Sequence, residues 1–185
     1  SFVDIILGEE KETHWQKEYG DSLWGTRFIA FPKTLQDAIE SYLNSGGNLF
    51  ISGAYIGSDL YSKRDSLDIG FAENILHYKF VSDHAVKSGG VESVRNNIHF
   101  SDVSLSFNTD FNERIYKVEA PDAIGPVNGS ETILRYSENY YSAGVGYKSE
   151  YGVIAVGFPF ETIISLDERI LLMKKITEYL KIDRK

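Results

Sequence analysis

Two runs of unbroken apolar character stand out along the chain: Leu49-Phe50-Ile51 after the glycine pair Gly46-Gly47, and Val153-Ile154-Ala155-Val156 between Gly152 and Gly157. A strand without polar alternation has both faces covered, as in the centre of a layered α/β sheet. Upstream of the first run, Leu35, Ala38, Ile39, Tyr42 and Leu43 recur at helical spacing. They predict a helix over Pro32–Leu43 that the glycine pair terminates. Helix, two-glycine turn and apolar strand make up half of a parallel βαβ unit. Phe2 to Leu7 predicts an opening strand, and Phe28 to Phe31 is a short apolar run. Between them, Glu9–Gly25 is polar and reads as loop, anchored by Trp15 and Trp24.

A second helical patch covers Leu67 to His77, with Ile69, Ala72, Ile75 and Leu76 inward. Ser58 followed by Asp59 reads as the N-cap of a short helix. From Lys79 to Tyr151 the period changes to short alternating runs at 115–118, 132–136 and 141–147, which predict an antiparallel meander. A final helix spans about Leu166 to Leu180, led in by Ile163 and Ile164. Its expected buried side is Ile170, Leu171, Met173, Ile176 and Leu180. The expectation is one α/β domain over 1–185, a mostly parallel sheet with an antiparallel insertion near its C-terminal half. There is no internal repeat or linker.

Composition narrows the function classes. A net charge of −8 without a Lys/Arg cluster argues against nucleic acid, whose phosphates need clustered cations. No apolar run is long enough to span a bilayer. Zero cysteines exclude disulfides, thiolate metal sites and cysteine nucleophiles. His14, His77, His84 and His99 show no i, i+4 pairing, and Asp102, Asp110 and Asp122 fall in turns, so neither a metal nor another cofactor is expected. Asn128-Gly129-Ser130 is a formal glycosylation acceptor that reads as a turn. The chain opens on Ser1 directly before a strand, which reads as a piece of something longer.

Candidate chemistry gathers where the two buried strands end, because ligands of open α/β sheets bind beyond the carboxyl ends of strands. The first strand runs into Gly53-Ala54-Tyr55-Ile56-Gly57, and the second into Phe158-Pro159-Phe160-Glu161. On these residues the chain resembles the class I glutamine amidotransferase-like fold, a flavodoxin-like three-layer sandwich. More narrowly, the stretches 43–60 and 151–163, with Arg169 and Leu171-Leu172-Met173 after them and Val3–Glu9 at the start, resemble a domain of secreted Bacteroidetes proteins. Those proteins are labelled xanthan lyase-like or linked to cell-wall amidases. Active amidotransferases carry a cysteine nucleophile in G-x-C-x-G, and here Tyr55 stands in its place. Their basic histidine in a Phe-His-Pro-Glu-like strand end is matched here by Pro159, while the glutamate is kept as Glu161. A tyrosine hydroxyl with a pKa near 10 and a proline cannot supply an activated nucleophile and its base.

The resemblance therefore implies a degenerate, non-catalytic domain of an exported, secreted, cell-surface or periplasmic protein acting on polysaccharide or cell-wall glycan. Its role would be binding or scaffolding beside other domains of a parent chain that carries any lyase or amidase chemistry. Tyr55 and Glu161 are the candidate binding residues of the remaining crevice. Glu161 has a second, structural reading, in which it hydrogen-bonds the start of the last helix. The alternative is a serine-dependent hydrolase or carbohydrate lyase within this domain, using Ser52 or Ser58 with His84 beside Asp83. Neighbours in sequence generally point apart, so Asp83 is not expected to orient His84. The tyrosines Tyr136, Tyr140, Tyr141 and Tyr147 either stack on sugar rings or pack across the meander, and a third reading makes this aromatic meander an oligomer interface.

Overall fold

The computed structural model describes residues 1–11, 29–95 and 97–181 of the 185. The anchors Trp15 and Trp24, and with them His14 and Phe28, lie outside the described residues. Strands β1 (Phe2–Ile6), β2 (Asn48–Ser52) and β9 (Gly152–Val156) are parallel neighbours in a seven-stranded sheet. The sheet continues from β9 through β8 (Ser142–Lys148), β7 (Glu131–Tyr136), β4 (Gly90–Ser93) and β5 (Ser104–Ser106), each antiparallel to the one before. The antiparallel strands thus extend the same sheet, and the parallel portion is confined to β1, β2 and β9. A separate antiparallel pair joins β3 (Tyr78–Ser82) to β6 (Ala123–Pro126).

The unbroken apolar runs do what their pattern demands. Along β2, Leu49 and Ile51 enter one core while Phe50 enters the other, and along β9 Val153 and Ala155 part from Ile154 and Val156 in the same way. One core is closed by α1 (Lys33–Asn44), α2 (Ser58–Tyr61), α3 (Ser66–Asn74) and Tyr78 and Ile124 of the small sheet. The other is closed by α4 (Leu166–Leu180) and the segment that holds Phe100, Phe107 and Val118. The sheet is therefore the middle of three layers.

Helix ends follow local chemistry. α1 stops where Gly46 turns to φ +81° and donates to the Leu43 carbonyl, while Gly47 lies under the Tyr42 ring, where a Cβ would come within 2.4 Å. Only glycine tolerates both demands. α3 begins at Asp65, whose carboxylate accepts from the Leu67 amide. It buries Phe71 and Ala72, with Ile69 only partly covered. Ser165 caps α4 by accepting from the Glu168 amide.

Three expectations are corrected. α4 buries Leu172, Ile176, Tyr179 and Leu180, leaving Ile170 exposed and Leu171 and Met173 partly covered; Ile164, just before the helix, is exposed as well. Ser58 does not cap α2; the cap position is Gly57 and Ser58 is the first helical residue. Residues 115–118 form no strand. Their backbone is satisfied from within the loop instead: buried Asn108 donates its side-chain amide to the carbonyls of Asp110, Ile115 and Tyr116, and its own carbonyl accepts from the Val118 amide.

Candidate functional site

The parallel strands end side by side. The Leu7 amide donates to the Ser52 carbonyl, Ala54 to Gly8, and Gly53 to Val156, so the three chain ends are stitched together just past the sheet. Close approach requires glycine here: a Cβ on Gly53 would sit 3.0 Å from Leu7 and Ile56 and 3.3 Å from the Gly8 carbonyl oxygen. The turn holds Tyr55 half-buried at the strand ends. Lys11 places its ammonium 3.3 Å from the Tyr55 hydroxyl and 4.6 Å from its ring centroid, so the tyrosine is engaged both as acceptor and as a π face.

Glu161 lies in a 3-10 turn, Phe160–Thr162, directly after β9. It does not reach the start of α4. Its Oε1 accepts a 2.5 Å hydrogen bond from the Tyr116 hydroxyl, and its Oε2 is buried without a partner among the described residues. Burial first, and then the bond to Glu161, raises the Tyr116 hydroxyl far above its ordinary pKa, so Tyr116 is a committed proton donor. The pair packs on Gly8, whose φ is +56° and whose notional Cβ would lie 3.3 Å from both oxygens. Asp4 on β1 has its carboxyl raised by burial and then by the charge of Glu161. Glu9 accepts from the Glu119 amide, which fixes the loop carrying Tyr116 against the end of β1. No hydrogen bond links Tyr55 directly to Glu161; Tyr116 is the partner that sequence reasoning missed.

The elbow is held from below by another missed residue. Asp122 is fully buried, and its Oδ2 accepts from the amides of Gly57 at 2.8 Å and Ser58 at 2.7 Å, while Oδ1 has no partner among the described residues. Its backbone is fixed as tightly: the amide donates to the Gly157 carbonyl, and the Asp122 carbonyl accepts from the buried Tyr136 hydroxyl at 2.8 Å. A Cβ on Gly157 would come within 2.0 Å of that carbonyl oxygen. Burial pushes the Asp122 carboxyl up to about 7, and the amide bonds of Ser58 and Gly57 resist the rise. In sequence Asp122 is one more aspartate in a turn, and nothing local marks it as the anchor of a loop 64 residues away.

The serine alternatives are not assembled. Ser52 is fully buried and its Oγ has no hydrogen-bond partner among the described residues. Ser58 is tied to Asp122. His84 is 71% exposed at φ +45°, with Nδ1 3.6 Å from Asp83 Oδ2. The left-handed backbone brings these sequence neighbours together against expectation, but both are solvated and no hydrogen bond joins His84 to either serine. Pro159 is buried, and its carbonyl accepts from the amide and hydroxyl of Thr162. Among the described residues no cluster of three or more His, Asp or Glu is arranged to hold a metal, and no helix is long and apolar enough to cross a membrane. Of the meander tyrosines, Tyr136 is fully buried, Tyr147 stacks on His77, and Tyr140 and Tyr141 are exposed.

No protein-family model matches the chain, and no curated protein matches it in sequence. Among solved structures, it is similar to an exo-β-1,4-mannosidase from Opitutaceae bacterium strain TAV5, at 10% identity and a TM-score of 0.47. That match covers 80% of this chain and 22% of the mannosidase. A likeness this distant carries no argument about activity.

Proposed function

We propose that this chain is a non-catalytic, flavodoxin-like domain of the class I glutamine amidotransferase-like type, serving binding or scaffolding within an exported protein that acts on polysaccharide or cell wall. One observation supports this reading above the rest. The carboxylate that would orient a catalytic histidine is instead bound by Tyr116, and the elbow presents Tyr55 to Lys11, with no described histidine bonded to either. Nucleophilic catalysis needs a polarisable attacker beside a base that takes its proton near neutral pH. Tyr55 and Tyr116 offer hydroxyls and aromatic faces instead, which suits recognition.

A fluorophosphonate probe followed by peptide mass mapping tests the reading. The expected result is no heat-sensitive label on any serine, together with no release of ammonia from glutamine. Specific labelling of Ser52 or Ser58 would overturn it in favour of a serine hydrolase.

A further inference from the structure

A groove of about 750 Å³ lies on the antiparallel half of the sheet, lined by Glu92, Arg95, Asp102, Ser104, Arg135 and Tyr140 among others. Its floor follows from strand register. Glu92 pairs with Ser104 on one side and Arg135 on the other, so the three side chains stand in one row across β5, β4 and β7. The adjacent row, Val91 with Leu105 and Tyr136, is buried on the opposite face in the core. Arg95 follows β4 and Asp102, at φ +67°, precedes β5, so each adds a charge at that end of the groove.

The other wall is an exposed aromatic carried on a hydrogen-bonded turn. Tyr140 is 64% exposed and sits at φ +63°, a conformation that costs a tyrosine energy. The hairpin turn that carries it is pinned at three points. Glu138 accepts from the amides of Lys87 and Ser88 and from the Ser88 hydroxyl; Asn139 donates to the Ala85 carbonyl; Arg135 donates to the Tyr140 carbonyl at 2.6 Å. The backbone that carries the ring is thus already ordered, so stacking on it costs no further ordering of the turn. Below it, Glu92, Arg95 and Asp102 have no side-chain partner among the described residues, and Arg135 spends only one nitrogen on the turn.

We infer that this groove is a binding site for a neutral oligosaccharide, with Tyr140 as the platform for the apolar C–H face of a pyranose and Glu92, Arg135, Arg95 and Asp102 as partners for its hydroxyls. Two guanidinium groups and two carboxylates balance in charge, which suits hydroxyls that both donate and accept. With its charges balanced, the groove offers a uronate or a phosphate no net attraction. The volume is within the usual range for small-ligand sites, roughly 300–1,000 Å³. The site lies on different elements from the elbow and stands whether or not the amidotransferase-like reading holds.

The test is an amide NMR titration with cellohexaose, β-1,4-mannohexaose and β-1,4-xylohexaose, and with hexagalacturonate as the acidic control, each up to about 10 mM. At least one neutral hexaose is expected to shift Glu92, Arg135 and Tyr140. Tyr140→Ala should weaken that binding about tenfold or more, and Glu92→Gln severalfold, with the rest of the spectrum unchanged. Shifts with hexagalacturonate alone, no shift with any neutral hexaose, or unchanged affinity in both variants would overturn the inference. Shifts confined to Gly53–Gly57, Tyr116 and Glu161 would overturn it too, while supporting ligand binding at the elbow.

Discussion

The two halves of the one sheet place their polar groups in opposite ways. In the parallel half, β2 and β9 bury both faces, so polar chemistry is pushed to the strand ends, where Asp122, Tyr116 and Glu161 are used up on holding turns. In the antiparallel half, one face of β4, β5 and β7 is reached by solvent, with half-buried Glu92 and Arg135 and exposed Ser104 in a row along it. Covering both faces leaves a sheet only its ends for function; covering one leaves a whole surface.

If that contrast is right, removing the anchor of the parallel half should be the most damaging change. Asp122→Ala strands two amides beneath the elbow and is expected to cost about 2–3 kcal/mol in urea denaturation. Gly157→Ala, which forces a Cβ onto the Asp122 carbonyl, should cost about 1–3 kcal/mol through backbone shifts. Equal stability in either variant would break the idea that this half depends on a pinned elbow.

The pH dependence sharpens the same point. A carboxyl whose folded pKa, here about 7, lies above its unfolded value near 3.9 takes up a proton on folding. Its contribution to stability is therefore fully present below about pH 4 and is lost as the pH rises through 7. Asp122→Asn keeps an acceptor but no charge, so its stability should fall less between pH 4 and 8 than that of the parent chain. Parallel pH profiles would show that Asp122 is not the group responsible.

Smaller effects are expected further out. Tyr116→Phe removes the bond to the Glu161 carboxylate and should cost about 1 kcal/mol at this partly exposed site, with amide shifts at Gly8. Tyr140→Ala, on the open face of the antiparallel half, should change stability by no more than about 0.5 kcal/mol. A loss of several kcal/mol there would mean that the ring supports the hairpin rather than a ligand.

Much of the frame was legible because it rests on local pattern. The buried strands β2 and β9, the glycine stop of α1 and the span of α4 each follow from apolar runs and turn residues that no tertiary contact reverses. The buried face of α4 was not legible, since Ile170-Leu171-Leu172-Met173 is apolar all the way round and its period selects no side. Residues 115–118 alternate like a strand, yet the side chain of Asn108 satisfies their carbonyls and no ladder is needed.

The site divides along the same line. By itself the sequence determined that Tyr55 and Glu161 stand just past the ends of two buried strands, because glycine spacing and apolar runs encode where strands stop. Only the tertiary structure decided what those residues meet: Lys11 for Tyr55, Tyr116 for Glu161, and the buried carboxylate of Asp122 beneath the turn. Each of those partners is joined across 44 or more residues of chain. A hydrogen bond depends on distance in space, and a one-dimensional pattern records only distance along the chain.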